Sequence, residues 1–120
     1  MKIAISTAGI NLDAPVDSRF GRAPKFIVYN SDFDTFHVEK NEQNLNAAQG
    51  AGIQSALHLC DEKVDCVITG NCGPKAFETL RAAKIDICTC AACTVADAIE
   101  KYKHGELVSI SKPNVQGHWA

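Results

Sequence analysis

Polar and apolar residues alternate over Lys2–Ser6 (KIAIS), which predicts a strand opening a sheet. Lys25–Asn30 (KFIVYN) and Thr35–Glu39 (TFHVE) are β-branched and aromatic runs separated only by Ser31-Asp32-Phe33-Asp34. A turn that short leaves no room for a helical crossover, so the two runs should pair antiparallel. Between the first strand and this hairpin, Thr7–Arg22 is a polar loop punctuated by Gly and Pro. After a polar connector at Asn41–Asn46, the apolar positions Ile53, Ala56, Leu57 and Cys60 fall at helical spacing and predict a helix from about Ala47 to Cys60. Val64–Thr69 (VDCVIT) is a largely apolar run, the signature of a central strand covered on both faces.

Gly70-Asn71-Cys72-Gly73 ends that strand, and Pro74 suits the first turn of a helix with an inner stripe of Ala76, Phe77, Leu80 and Ala83. Ile85–Cys88 reads as another short strand. Thr94-Val95-Ala96-Asp97 has the spacing of a capping arrangement, opening a helix to Lys103 or His104 with Val95, Ile99 and Tyr102 inward and Gly105 as the stop. Leu107–Ile110 is a candidate edge strand. The order βββαβαβα predicts an α/β fold, with a mixed sheet and helices on both faces because parallel crossovers are right-handed. Ligands of such sheets bind beyond the carboxyl ends of the parallel strands.

At 120 residues the chain has length for one core. A hydrophobic fraction of 46% and a charged fraction of 22% argue against disorder. A formal charge of −2 supplies no general attraction to nucleic acid or to an anionic membrane. The opening MKIAISTA is too short and too interrupted for the apolar region of a signal peptide, and no stretch approaches a membrane span. A cytoplasmic location is expected, and there thiols stay reduced.

That expectation gives the six cysteines their interest. Cys60 on a helical stripe and Cys66 within a strand read as small buried hydrophobes. Cys72, Cys88, Cys90 and Cys93 lie instead in loops following strands expected to be parallel, so they should converge on one sheet edge. Cys88-Thr89-Cys90-Ala91-Ala92-Cys93 places three thiols within six residues. If extended, Cys88 and Cys90 face the same side. Cys93 precedes a helix whose N-terminus should offer unpaired N–H groups to a thiolate or anionic cluster. With Cys72 they make a candidate four-thiolate site for a soft metal or an iron–sulfur centre. Cys90-Ala91-Ala92-Cys93 also fits the dithiol of a thiol–disulfide oxidoreductase, and a structural zinc domain is a third reading.

Other chemistry is thin. Gln49-Gly50-Ala51-Gly52 lacks the third glycine and the Lys-Ser/Thr pair of a phosphate cradle. His37, His58, His104 and His118 each read as structural or solvated. Asp13, Asp17 and Asp65 form no carboxylate constellation for a two-metal nuclease, and no hydrolytic triad stands out.

Three segments, Val16–Asn30 (VDSRFGRAPKFIVYN), Val64–Ile87 (VDCVITGNCGPKAFETLRAAKIDI) and Thr94–Leu107 (TVADAIEKYKHGEL), together resemble the dinitrogenase iron–molybdenum cofactor biosynthesis family, which includes NifX-like proteins, the C-terminal domain of NifB and the orange protein. The resemblance spans residues 1–110 as a single domain and leaves 111–120 as a tail. It implies a three-layer α/β/α, ribonuclease H-like fold with a five-stranded mixed sheet. It also implies a non-enzymatic carrier that holds a metal–sulfur cluster (iron–molybdenum cofactor, a precursor, or a related iron–sulfur or molybdenum cluster) and passes it between donor and acceptor proteins. Arg19, Phe20, Gly21 and Arg22, with Gly70, Asn71, Gly73 and Pro74, match family segments near such a site, and Arg19 and Arg22 could pair with an anionic cluster. The group Cys88, Cys90 and Cys93 departs from the family's common pattern and implies firmer ligation than in relatives that cradle the cluster noncovalently.

Overall fold

The computed structural model describes residues 1–41, 50–90 and 92–113. The strands are β1 (Lys2–Thr7), β2 (Lys25–Asn30), β3 (Thr35–Lys40), β4 (Cys66–Thr69) and β5 (Asp86–Thr89); the helices are α1 (Ala51–Asp61), α2 (Pro74–Ala82) and α3 (Val95–Lys103). They form one five-stranded sheet in the order β3-β2-β1-β4-β5. β1, β2 and β3 are an antiparallel meander, whereas β4 is parallel to both β1 and β5. The expected element order and mixed α/β architecture are therefore present.

Period-two alternation sorts the sheet's side chains into two cores. Ala4, Phe26, Val28, Val67 and Ile87 point to the face covered by α1 and α2, where Ala56, Leu59, Ala76, Phe77 and Leu80 meet them. Ile3, Ile5, Ile27, Tyr29, Cys66, Ile68 and Cys88 point to the opposite face, under Val95, Ala98 and Ile99 of α3. Residues in β1 and β4 are buried whichever way they point, so these strands read as apolar runs.

Local details depart from the sequence expectation. The inward face of α1 is Ala51, Gly52, Ser55, Ala56 and Leu59, while Leu57 is 46% exposed and Ile53 and Cys60 are only half-buried. The helix is rotated because Ser55 turns inward: its hydroxyl lies 3.0 Å from Asn41 Oδ1, and Asn41 Nδ2 donates to the Ala23 carbonyl at 2.8 Å. A stripe drawn from apolar residues alone cannot see a satisfied buried hydroxyl. The expected start of this helix at Ala47 lies outside the described residues. Ala83 is the exposed C-terminal cap of α2, beyond its buried stripe. Leu107–Ile110 does not form an edge strand; it makes one bridge, Ser109 to Cys88, plus a hydrogen bond from Ile110 N to Ile87 O at 2.9 Å. The capping box of α3 is formed, with Asp97 N donating to Thr94 Oγ1 at 3.1 Å.

Candidate functional site

The carboxyl ends of β1, β4 and β5 lie side by side, and the loop between β1 and β2 folds back across them. Thr7 bridges Val16, Pro15 bridges Thr94 and Arg19 bridges Asn71. The Asp17 carbonyl accepts from Ser6 Oγ at 2.9 Å and from Gly70 N at 3.4 Å. Ser6 Oγ also lies 2.7 Å from Thr69 Oγ1 in a fully buried contact, so both hydroxyls have partners at the strand ends. Gly70 is required by this approach: a Cβ there would fall 2.6 Å from Ser18 Cα and 2.9 Å from Ser18 O. Asn71 Nδ2 completes the seam with a 2.9 Å bond to the Ser18 carbonyl.

The family-matched residues line this seam in different roles. Arg19 and Arg22 are exposed. Phe20 is fully buried and packs obliquely on Phe26 at 5.3 Å between ring centroids, so it anchors the loop from below. Gly21 is buried, and Asn71 is half-buried. Gly73 caps α2 without a side chain, and Pro74 follows in its first turn.

The four candidate thiols divide between the two faces of the sheet. Cys88, Cys90 and Cys93 share the α3 face, as the period-two argument expected for Cys88 and Cys90. Cys72 is buried on the α1/α2 face, where burial pushes its thiol up to about 12. The grouping of four is thus not assembled, because one residue after Asn71 the chain turns its side chain under α2. Cys66, expected to be a plain core thiol, instead meets one of the three: its Sγ lies 3.9 Å from Cys88 Sγ. Cys66 is as buried as expected, but its neighbour depends on strand register. β4 and β5 pair Cys66 with Asp86 and Ile68 with Cys88, which puts the two cysteines on one face, diagonally across the ladder.

The electrostatics of this pair are asymmetric. The hydrogen bond offered by Cys66 brings the Cys88 thiol down to about 7, burial opposing and Ser109 Oγ at 3.7 Å assisting. Cys66, as the donor to Cys88 and buried, is pushed far up and keeps its proton. Cys90 and Cys93 are joined as a disulfide with Cα atoms 6.7 Å apart. Ala92 between them takes a φ of 54°, the left-handed region that an L side chain enters at a cost of roughly 1–2 kcal/mol.

The N-terminus of α3 differs from expectation. Its first N–H groups are already engaged: Val95 N reaches Ala14 O at 2.8 Å, Ala96 N reaches Leu12 O at 2.9 Å, and Asp97 N has the Thr94 hydroxyl. The expected anion-binding role falls away there because the loop's carbonyls fill it. In return, Val16 N donates to Cys93 O and Cys90 N to Thr69 O, which fixes the cysteine turn to the sheet edge.

Among the described residues, no helix is long and apolar enough to cross a membrane. The family model described as dinitrogenase iron-molybdenum cofactor matches residues 1–105. The apo form of the orange protein from Desulfovibrio gigas superposes with a TM-score of 0.92 at 33% identity, over 95% of this chain and 96% of that one. A structure described as a putative NifB protein from Thermotoga gives 0.83 at 31% identity, covering 95% and 97%. An uncharacterized protein of Methanocaldococcus jannaschii is 26% identical over 101 residues, 78% of this chain and 85% of the relative.

Proposed function

The chain belongs to the dinitrogenase iron-molybdenum cofactor family, and from that premise we propose that it is a carrier, not an enzyme, for an anionic metal–sulfur cluster held at the carboxyl edge of β4 and β5. The observation that supports this most is the convergence of Cys88, Cys90 and Cys93 on one face of that edge, with Cys66 beside Cys88. Thiolates are the donors that iron–sulfur, copper and mixed molybdenum–sulfur clusters take, and a thiol already lowered to about 7 loses its proton to a metal readily. In this reading Cys90 and Cys93 ligate as free thiols, which fits a cytoplasmic location, and Cys72 remains a core thiol. Arg19 and Arg22, exposed on the loop over the strand ends, supply positive charge toward the anionic cargo. Gly70, Asn71, Gly73 and Pro74 shape the adjoining turn, while Phe20 and Gly21 hold the loop in place. The partners are the proteins that deliver the cluster and accept it; nucleic acid has no part.

Protein purified without oxygen, or reconstituted with iron, sulfide and tetrathiomolybdate, should show charge-transfer bands with stoichiometric metal and sulfide. Cys88→Ser with Cys93→Ser should abolish retention with the fold intact by circular dichroism. Full metal occupancy in that double variant overturns the ligand assignment.

The Cys90–Cys93 disulfide favours a second reading, a dithiol oxidoreductase. A reducing dithiol would give the disulfide two electrons and two protons, leaving two free thiols here and a disulfide on the donor. This reading expects a protein that takes up no cluster and cycles with a thiol reductant, with cycling lost on Cys90→Ser.

A further inference from the structure

Away from the thiols, the antiparallel half of the sheet carries a second set of metal-binding side chains. His37 and Glu39 alternate along β3 and so share a face; their ladder partners, Val28 and Phe26, belong to the core under α1 and α2. On that same face the end of α1 presents His58 and, four residues on, Glu62. His37 Nε2 lies 3.3 Å from Glu39 Oε2 and 3.6 Å from Glu62 Oε1. One ligand atom from each of His37, Glu39 and Glu62 falls within 4.8 Å of the others.

These distances fit coordination better than hydrogen bonding. A neutral imidazole has one N–H to give, and good N–H···O bonds measure about 2.7–3.2 Å. His37 Nε2 instead sits between two carboxylates, beyond that range from both. Ligands about 2.1 Å from a tetrahedral ion lie roughly 3.4 Å from one another, close to both separations. By contrast His58 Nε2 makes a well-formed 2.9 Å contact to Glu39 Oε1, the other oxygen of the same carboxylate. A hydrogen bond of that kind orients a ligating carboxylate. Lys2 Nζ bonds the backbone carbonyl of Glu62 at 3.1 Å. His37 is half exposed, which leaves room for a water as a further ligand.

We propose that His37, Glu39 and Glu62 bind a divalent transition-metal ion of the Zn²⁺ class, with His58 as the residue that positions Glu39. One imidazole and two carboxylates suit a borderline ion, whereas thiolates suit the soft metals of the other site. The two sites lie on opposite faces of the sheet, so this inference stands whether or not the thiols carry a cluster.

The test is calorimetric titration of Zn²⁺ into the Cys88→Ser/Cys93→Ser protein, which removes two of the competing thiols, followed by Co²⁺ with amide NMR. The expected result is one saturable Zn²⁺ site, with Co²⁺ perturbing amides of β3 and the end of α1. His37→Ala and the isosteric Glu62→Gln should each weaken binding at least about tenfold, and His58→Ala by about 10–100-fold. Both His37 and Glu62 lie at the surface, and unchanged melting in chelator confirms that each variant is folded. Three outcomes overturn the proposal: no saturable Zn²⁺ binding, affinity indifferent to His37→Ala and Glu62→Gln, or Co²⁺ effects centred on Cys66 and Cys90.

Discussion

The two halves of the sheet solve different problems. In the parallel half, β1, β4 and β5 are covered on both faces, and their carboxyl ends are closed by a loop that bonds to β1, β4 and the start of α3. Its sulfur atoms are buried: Cys66 and Cys88 set one another's protons, and Cys90 and Cys93 are joined as a disulfide. In the antiparallel half, β3 is an edge strand with no buried residue, and its His37 and Glu39, with Glu62 beside them, stand in partial contact with water. Soft donors thus sit where the chain is most constrained, and nitrogen and oxygen donors where it is least. The difference teaches that burial follows donor chemistry: a thiol is packed as a small hydrophobe until a metal needs it, whereas a carboxylate must keep its hydration.

The widest gap between the halves should appear in stability. Phe20→Ala, which empties the anchor beneath the loop, should cost about 3–5 kcal/mol in urea unfolding, whereas Phe36→Ala on β3 should stay within about 0.5 kcal/mol. Equal losses would erase the contrast. Gly70→Ala comes next: its Cβ meets the Ser18 backbone, which no rotamer can move aside, and should cost about 1–3 kcal/mol. A neutral result there would mean that loop and strand end are not locked together.

A further effect concerns the proton shared by Cys66 and Cys88. Cys88 is lowered from its ordinary value near 9.0 to about 7, so between these values the unfolded chain holds a proton that the folded chain has released. Stability from this group is therefore complete above the ordinary value and is lost as pH falls through about 7, with a slope of at most about 1.4 kcal/mol per pH unit. Thiolate absorbance should rise with a midpoint near the same pH. Cys66→Ala, removing the donor, should move that midpoint upward, and an unmoved midpoint would break the pairing.

Much of this frame was legible in the sequence because its signals are local. The strand periods, the short Ser31–Asp34 turn, Pro74 at a helix start and the Thr94–Asp97 cap each act within a few residues, and all are found in place. What escaped was set by distance along the chain. The register of β4 on β5 decides that Cys66 meets Cys88, and the turn after Asn71 decides that Cys72 leaves its companions. Leu12 and Ala14 reach the first amides of α3 from some eighty residues away, which no helix-start signal anticipates. His37 and His58 were unremarkable as single residues; only β3 lying beside the end of α1 brings Glu62 to His37 and Glu39 to His58.

Surface loops are ordinarily where a lineage adds or removes residues freely. The segment from Thr7 to Arg22 has no such latitude, since its carbonyls and amides are matched to fixed positions on β1, β4 and α3. A single inserted residue between Leu12 and Asp17 would shift every downstream match by one, unhooking helix and strand end together. The four-residue turn at Ser31–Asp34 is mostly exposed and bonds to Met1 and Tyr29, at the end of the sheet away from the strand ends, so its Asp32–Phe33 tip is the natural place to graft a tag or a reporter without disturbing the sulfur-lined edge.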